Sequence, residues 1–545
     1  MNKRCVVACM LASVVTSALA EAPVKPKLIV TVSVDQFSAD LFGEYRSLFT
    51  DGFKRLAGGV VFPRGYQSHA ATETCPGHST ILTGSRPART GIIANDWQLP
   101  NLPRKQNGKT TYDVYCAEDP GAPGSDVSSA QISAHYLRVP TLGDRLKAVE
   151  PGSRVAAVSG KDRAAIMMGG HDADLTLWWN GKAFGTYAGR ESSIPTALAA
   201  VNARASAAMA KPGAATLPSQ CTAKSLAVAV TPKVSVGTLQ ARKPNDERGW
   251  RASSEFDAAI LDATLTTLQA MKLGSGPTTD VLAVSFSATD YVGHTYGTEG
   301  AEMCAQLIAL DHTLGKLFAA LDKTRVPYAV VLTADHGGHD LPERNDIHGL
   351  PAAERVDPAL SAKDVGAALS KQFGLADNVL LGRSAFGDIY LSASVPAEKR
   401  AAVLDAAVKF YRGHRQVAAV FTKSELISAP PPAGPVDEWT LLERAKASFD
   451  PERSGDLVVL LKEYVTPIPE GGAGYVATHG SPWNYDRRVP ILFWWQGLRG
   501  FEQPNAVETV DILPTLASLI GLEIPAGEID GRCLDLLAGA ESNCR

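Results

Sequence analysis

Short, almost unbroken apolar runs punctuate the chain. Leu28-Ile29-Val30-Thr31-Val32-Ser33-Val34 ends in Asp35. Val281-Leu282-Ala283-Val284-Ser285-Phe286 leads to Asp290, and Ala329-Val330-Val331-Leu332-Thr333 leads to Asp335 and His336. A fourth run, from Val489 to Trp495, is rich in β-branched and aromatic residues. Runs that do not alternate predict strands covered on both faces, as in a parallel sheet. Between them, Phe256 to Met271 and Met303 to Leu321 carry apolar residues at helical spacing. This alternation predicts an α/β fold, a doubly wound α/β/α sandwich with a mostly parallel central sheet. Two stretches break the pattern and read as insertions in one catalytic domain spanning 21–545. One, at about 97–250, is rich in Gly, Pro, Ser and Ala. The other, at about 340–475, contains the linker-like tract from Pro430 to Pro435. Core-like patterning returns at Asp511 to Leu516, and no internal repeat is visible.

The first 20 residues read differently. Lys3 and Arg4 precede an apolar stretch, and Ala18-Leu19-Ala20 supplies a small-residue cleavage site before Glu21. This is the pattern of a secretory signal peptide cleaved after Ala20, so the mature chain is expected in the periplasm or outside the cell. No later run reaches the roughly 18 apolar residues of a membrane span. Six cysteines follow the signal: Cys75, Cys116, Cys221, Cys304, Cys533 and Cys544. An even count in an oxidising compartment permits disulfides. Cys533–Cys544 is the simplest pair because its loop is short, and spacing leaves the others open. A net charge of −4 over 545 residues gives no excess of cations for a nucleic-acid backbone, so nucleic acid is not expected as a specific partner.

Candidate chemistry gathers where the apolar runs stop. A lone Asp at a strand end is usually a turn or cap residue. Asp35, Asp290 and Asp335 together carry more weight, because ligands of open α/β sheets bind beyond the carboxyl ends of the strands. His294 follows Asp290 by four residues, His336 follows Asp335 directly, and His479 sits in Thr478-His479-Gly480. Imidazole and carboxylate without thiolate form a donor set suited to catalytic zinc. Thr74-Cys75-Pro76-Gly77-His78 looks like a helix start, with Thr74 as its N-cap and Pro76 in the first turn. A hydroxyl there can become a nucleophile, and the N–H of Cys75 could receive a phosphoryl oxygen. A sulfatase would need an oxidised Cys in C-x-P-x-R, and Pro76 follows Cys75 directly.

Taken in order, Asp35, Thr74 to His78, Asp290 to His294, Asp335-His336-Gly337 and Thr478-His479-Gly480 resemble the alkaline phosphatase superfamily. Within it, the chain resembles the type I phosphodiesterase/nucleotide pyrophosphatase branch, and most of all the Thr-nucleophile bacterial alkaline phosphatases of the PafA type. The resemblance implies two zinc ions. One would be held by Asp290, His294 and His479, the other by Asp35, Asp335, His336 and the Thr74 oxygen. It also implies that Asn95, Lys161 and Arg163 bind the phosphoryl group, the two cations matching the extra charge of a monoester dianion. The expected activity is hydrolysis of small-molecule phosphate monoesters through a phosphothreonine. A phosphodiesterase or nucleotide pyrophosphatase on the same scaffold is the alternative, and would not need Lys161 and Arg163.

Overall fold

The computed structural model describes residues 25–544 except 107, 124, 126, 128, 129 and 214. The expected signal peptide, residues 1–20, lies outside the described residues. All four apolar runs form strands of one ten-stranded sheet. At its centre Tyr328–Thr333, Leu28–Val34, Asp280–Phe286, Val155–Ser159 and Leu175–Trp179 lie side by side and parallel. Val34 is level with Phe286, Ser33 with Thr333, and Ser285 with Ser159, so four adjacent strands end together. Arg488–Trp495 is antiparallel to Tyr328–Thr333, and Val60–Tyr66 is antiparallel to it in turn. The sheet is therefore mixed, with a parallel heart.

Period-two geometry sends alternate side chains to opposite faces. Leu28, Val30, Val32 and Val34 join one apolar cluster with Phe42, Phe256, Ile260, Leu307 and Leu314. Ile29, Val281, Ala283 and Val331 join another with Leu146, Met168, Ile512 and Leu516. The helices Ser254–Ala270 and Ala301–Thr324 cover the first face; Leu142–Val149, Asp162–Gly169 and Ile512–Ile520 cover the second. Helix, sheet and helix make the three layers that the pattern predicts.

The expected first insertion needs correction. Residues 155–185 supply three strands of the central sheet, Val155–Ser159, Leu175–Trp179 and Phe184–Gly185. The Val155–Ser159 strand is only five residues long and sits in Gly- and Ala-rich sequence, which hides it. The second stretch builds a unit of its own. Leu380–Leu381, Gly387–Leu391, Leu457–Leu461 and Val417–Thr422 form a four-stranded antiparallel sheet. Its separate core packs Val365, Leu369, Val403, Ala407, Ile389 and Val459.

Three disulfides join Cys75 to Cys116, Cys221 to Cys304 and Cys533 to Cys544. The pair predicted from loop length is among them. The other two depend on folding, since they close loops of 41 and 83 residues. No helix among the described residues is long and apolar enough to cross a membrane.

Candidate metal and phosphoryl-transfer site

The site lies where the four level strands stop. Asp35 follows Leu28–Val34, Asp335 and His336 follow Tyr328–Thr333, and Lys161 follows Val155–Ser159 by two residues. After Asp280–Phe286 the chain enters the helix Ala288–Tyr296, which carries Asp290 and His294 one turn apart. The cap residue of this helix, Ser287, makes no side-chain cap bond. Instead buried Asp257 accepts the Ala288 N–H at 3.0 Å, and Gln306 Nε2 donates to its other oxygen at 2.7 Å. A carboxylate from the helix Ser254–Ala270 thus orients the helix that bears two ligand candidates. Burial makes this carboxylate a weaker acid, with its pKa pushed up to about 7.

Thr74 opens the helix Thr74–Ile81, but as its first turn rather than its cap; Glu73 is the cap residue, and its side chain makes no cap bond. This helix lies against the end of the Tyr328–Thr333 strand, and Gly77 is the point of contact. A Cβ at Gly77 would meet the Asp335 carbonyl oxygen at 2.0 Å. Gln67 locks the arrangement, its Nε2 donating to Ala334 O at 3.0 Å and Gly77 O at 3.3 Å.

Around these elements the predicted site residues converge. Asp290 Oδ1 lies 3.3 Å from His294 Nε2 and 3.4 Å from His479 Nε2. His336 Nε2 lies 3.3 Å from Asp335 Oδ2 and 3.6 Å from Asp35 Oδ1. The His336 and His479 rings stack at 3.6 Å. Two candidate ligand groups result, Asp290 with His294 and His479, and Asp35 with Asp290 and His336. Asp290 therefore faces both groups, while Asp335 joins the second through His336.

Each imidazole directs its Nδ1 to a backbone carbonyl: His294 to Ala477 at 2.9 Å, His479 to Thr72 at 2.8 Å, His336 to Gly337 at 2.8 Å. That pairing puts the proton on Nδ1 and turns the Nε2 lone pairs toward the carboxylates, the outer-shell pattern of metal-ligating histidine. Burial pushes His336 down to about 3 and lowers His479, so both are neutral at pH 7 and ready to coordinate. Burial and the neighbouring Asp335 raise Asp35. Burial also opposes charge on Asp290 and Asp335, but His294 with Lys161, and His336 with His78, hold them below the usual carboxylate range. Asp35 Oδ1, Asp290 Oδ1, Asp335 Oδ2 and His336 Nε2 are buried with no hydrogen-bond partner. Orphaned acceptors at this density are costly unless a cation meets them, so the donor set fits a divalent metal.

Lys161 and Arg163 approach the same point from one side. Lys161 is the extended cap residue of the helix Asp162–Gly169 and Arg163 lies in its first turn, so they are not alternate residues of a strand. Both still reach Thr74 Oγ1, Lys161 Nζ at 3.4 Å and an Arg163 guanidinium nitrogen at 3.5 Å. Lys161 Nζ also pairs with Asp35 Oδ2 at 2.6 Å and Asp290 Oδ2 at 2.5 Å. Those carboxylates raise the Lys161 ammonium against the opposing effect of burial, so it stays charged.

Asn95 completes the site. Its Oδ1 accepts the Cys75 N–H at 2.8 Å, which corrects the expectation that this N–H faces a phosphoryl oxygen. With Oδ1 so engaged, the donor that Asn95 can offer is Nδ2. Thr74, Asn95, Arg163, His294 and His479 line a cleft of about 460 Å³ whose far wall comes from the second insertion, including Arg383, Phe386 and Tyr475.

Two contributors escaped the sequence. His78 is buried, bonds Thr74 O and Ser285 Oγ, and lies 3.1 Å from Asp335 Oδ2. Its position four residues after Thr74 on one helix was the available signal. Glu73 accepts the Asn95 N–H at 2.7 Å and had no signal beyond its place beside Thr74. Two other histidines close to His336 in sequence make bonds elsewhere: His339 with Thr466 Oγ1, and exposed His348 with Glu299.

Acidic strand ends, imidazoles and a helix-borne hydroxyl make a candidate metal site at the sheet edge of an α/β protein. Residues 29–482 match the type I phosphodiesterase/nucleotide pyrophosphatase family, and the chain belongs to it. Alkaline phosphatase PhoK of Sphingomonas sp is 52% identical over 525 residues, covering 95% of this chain and 92% of that protein. Alkaline phosphatase PhoD of Zymomonas mobilis is 49% identical over 521 residues, covering 95% and 89%. The crystal structure of wild-type alkaline phosphatase PafA matches with a TM-score of 0.81 at 26% identity, over 94% of this chain and 99% of that one.

The Asp257 bonds carry a testable consequence. Asp257→Ala leaves the buried Ala288 N–H and the Gln306 amide without their acceptor, a loss of about 1–3 kcal/mol for a buried donor left unsatisfied. With those donors unsatisfied, the variant should melt several degrees lower and gain less in Tm from added zinc than the wild type. Equal gains would show that Asp257 does not orient the Asp290 helix.

Proposed function

We propose that this protein is a zinc-dependent phosphate monoester hydrolase of the alkaline phosphatase type, which acts through a phosphothreonine at Thr74. The observation that carries the reading is the convergence of two cations, Lys161 and Arg163, on the Thr74 hydroxyl at 3.4 and 3.5 Å. A monoester is a dianion near neutral pH. Its phosphoryl oxygens need more positive charge than a diester's, and these two side chains supply it at the nucleophile.

Two zinc ions are the cofactors in this reading, one with Asp290, His294 and His479, the other with Asp35, Asp335, His336 and Thr74 Oγ1. They would supply Lewis acidity, easing ionisation of the hydroxyl and stabilising charge on the leaving oxygen. The chain does the rest. With Asp35 and Asp290 committed to cations, the Lys161 ammonium is available to the phosphoryl oxygens. Arg163 forms a planar fork to the same oxygens, and Asn95 Nδ2 donates one neutral hydrogen bond. Held at the helix start, the Thr74 oxygen attacks phosphorus in line; the Thr74–phosphorus bond forms as the ester bond breaks. Water then attacks phosphothreonine from the side the leaving group vacated and releases inorganic phosphate. The cleft beyond Thr74 receives the leaving group. Three disulfides support an oxidising compartment, in keeping with a periplasmic or secreted enzyme.

Metal removal gives the first test. Chelation should abolish hydrolysis of p-nitrophenyl phosphate, and zinc should restore it with about two ions bound per chain. Active protein holding fewer would refute the two-metal reading. Magnesium should not replace zinc, because it disfavours imidazole.

Substrate class is tested with a nitrophenyl monoester and a nitrophenyl diester side by side. Lys161→Ala and Arg163→Ala should each lower monoester kcat/KM by roughly 30- to 1,000-fold, the cost of one charged transition-state contact. Diester kcat/KM should fall much less. Thr74→Ala should lose nearly all turnover of both, and Thr74→Ser should keep much of it. A wild type that prefers the diester, with equal losses in both cation variants, would replace this reading by a phosphodiesterase on the same scaffold.

A further inference from the structure

Glu73 is a carboxylate in the wall of an anion-binding cleft, one residue from the nucleophile position. Electrostatics alone would exclude it, since it opposes the phosphate charge that Lys161 and Arg163 attract. Its contact explains its presence. Glu73 Oε2 accepts the Asn95 backbone N–H at 2.7 Å. Asn95 is gripped at two further points. Its Oδ1 accepts the Cys75 N–H at 2.8 Å, and its backbone carbonyl accepts the Cys116 N–H at 2.9 Å. Cys75 and Cys116 are themselves joined by a disulfide. The residues on either side of Thr74 thus hold Asn95 directly, one by a carboxylate and one by its amide.

We propose that Glu73 is a positioning residue: it acts through Asn95, fixing the loop so that Asn95 Nδ2 donates to the phosphoryl group held at Thr74. This rests on the phosphatase reading, but it concerns how the site is built. Asn95 lies on the segment Ala94–Asp96, which leads into the short strand Asp96–Gln98 rather than a core strand. Such a segment depends on the individual bonds made to it, and the Glu73 bond is the one made by a side chain from the nucleophile's own helix cap. A neutral acceptor would serve the same bond, so Glu73→Gln should retain function while Glu73→Ala should not. A donor displaced by about 1 Å costs on the order of a hundredfold in rate.

The test is a double-mutant cycle with Asn95→Ala, read in two ways: kcat/KM for p-nitrophenyl phosphate, and calorimetric affinity for inorganic phosphate. Glu73→Ala should lower both by about tenfold to a hundredfold in the wild-type background. In the Asn95→Ala background the same change should cost no more than about twofold, because residues that act as one unit are not additive. Bound zinc should stay near wild type, Tm should fall by no more than a few degrees for the lost Asn95 N–H bond, and Glu73→Gln should restore both readouts to within a few-fold. Equal losses in both backgrounds, loss of zinc with Glu73→Ala, or a Glu73→Gln variant as impaired as Glu73→Ala would each overturn the proposal. Phosphate binding without turnover in the wild type would instead refute the phosphatase reading, and the cycle on phosphate affinity would still decide the role of Glu73.

Discussion

Three carboxylates, Asp35, Asp290 and Asp335, are buried together at the ends of neighbouring parallel strands, at most 2% exposed. Like charges in a low-dielectric interior repel strongly, and each must also give up its water. The rest of the site answers that constraint. His294, His336 and His479 turn lone pairs inward, Lys161 places its ammonium between Asp35 and Asp290, and several carboxylate oxygens remain without any hydrogen bond. Positive charge lowers the cost of burying such a cluster, which is why the donor set fits a metal ion.

Sheet order delivers these groups with little help from loops. The strands ending near Asp335, Asp35, Asp290 and Lys161 are consecutive neighbours in the sheet, and their last residues are in register. The helices that follow are set by close contacts: Gly77 against the Asp335 peptide, Asp257 under the Asp290 helix. His479 is the exception. It returns on the chain that leaves the second insertion, and its place is fixed by bonds to Thr72 and to the His294 segment. The insertion therefore does two things: it brings the last imidazole back to the sheet edge and walls the cleft with Arg383, Phe386 and Tyr475.

The balance of charge around Thr74 is local and uneven. Lys161 and Arg163 reach the hydroxyl from one helix start, whereas Glu73, Asp96 and Asp388 lie on the cleft wall. Burial pushes Glu73 up to about 7 and Asp388 to about 6, which softens their repulsion of an anion near neutral pH. Arg383 offsets Asp96 at 2.5 Å. The surroundings of the Thr74 hydroxyl are thus cationic within a cleft that is otherwise mixed in character.

The sequence by itself determined four strands of the sheet and the edge at which candidate ligands would gather. Continuous apolar runs specify doubly covered strands, and in such folds the polar residues just past their ends share one edge. That made Asp35, Asp290, His294, Asp335 and His336 readable as candidates, Thr74 stood out as a helix start, and the roles expected of Asn95, Lys161 and Arg163 were implied only by the resemblance to the family. The short strand Val155–Ser159 was not recognised as core, because five small and apolar residues in a Gly- and Ala-rich stretch carry little pattern. Only the tertiary structure decided which groups meet. It made Glu73 rather than Thr74 the cap residue, gave the Cys75 N–H to Asn95, placed His78 beneath Thr74, and paired Cys75 with Cys116 and Cys221 with Cys304. The physical reason is range. Periodicity and turn chemistry act over a few residues, whereas the Cys75–Asn95 bond and the Cys75–Cys116 and Cys221–Cys304 disulfides join residues 20, 41 and 83 positions apart.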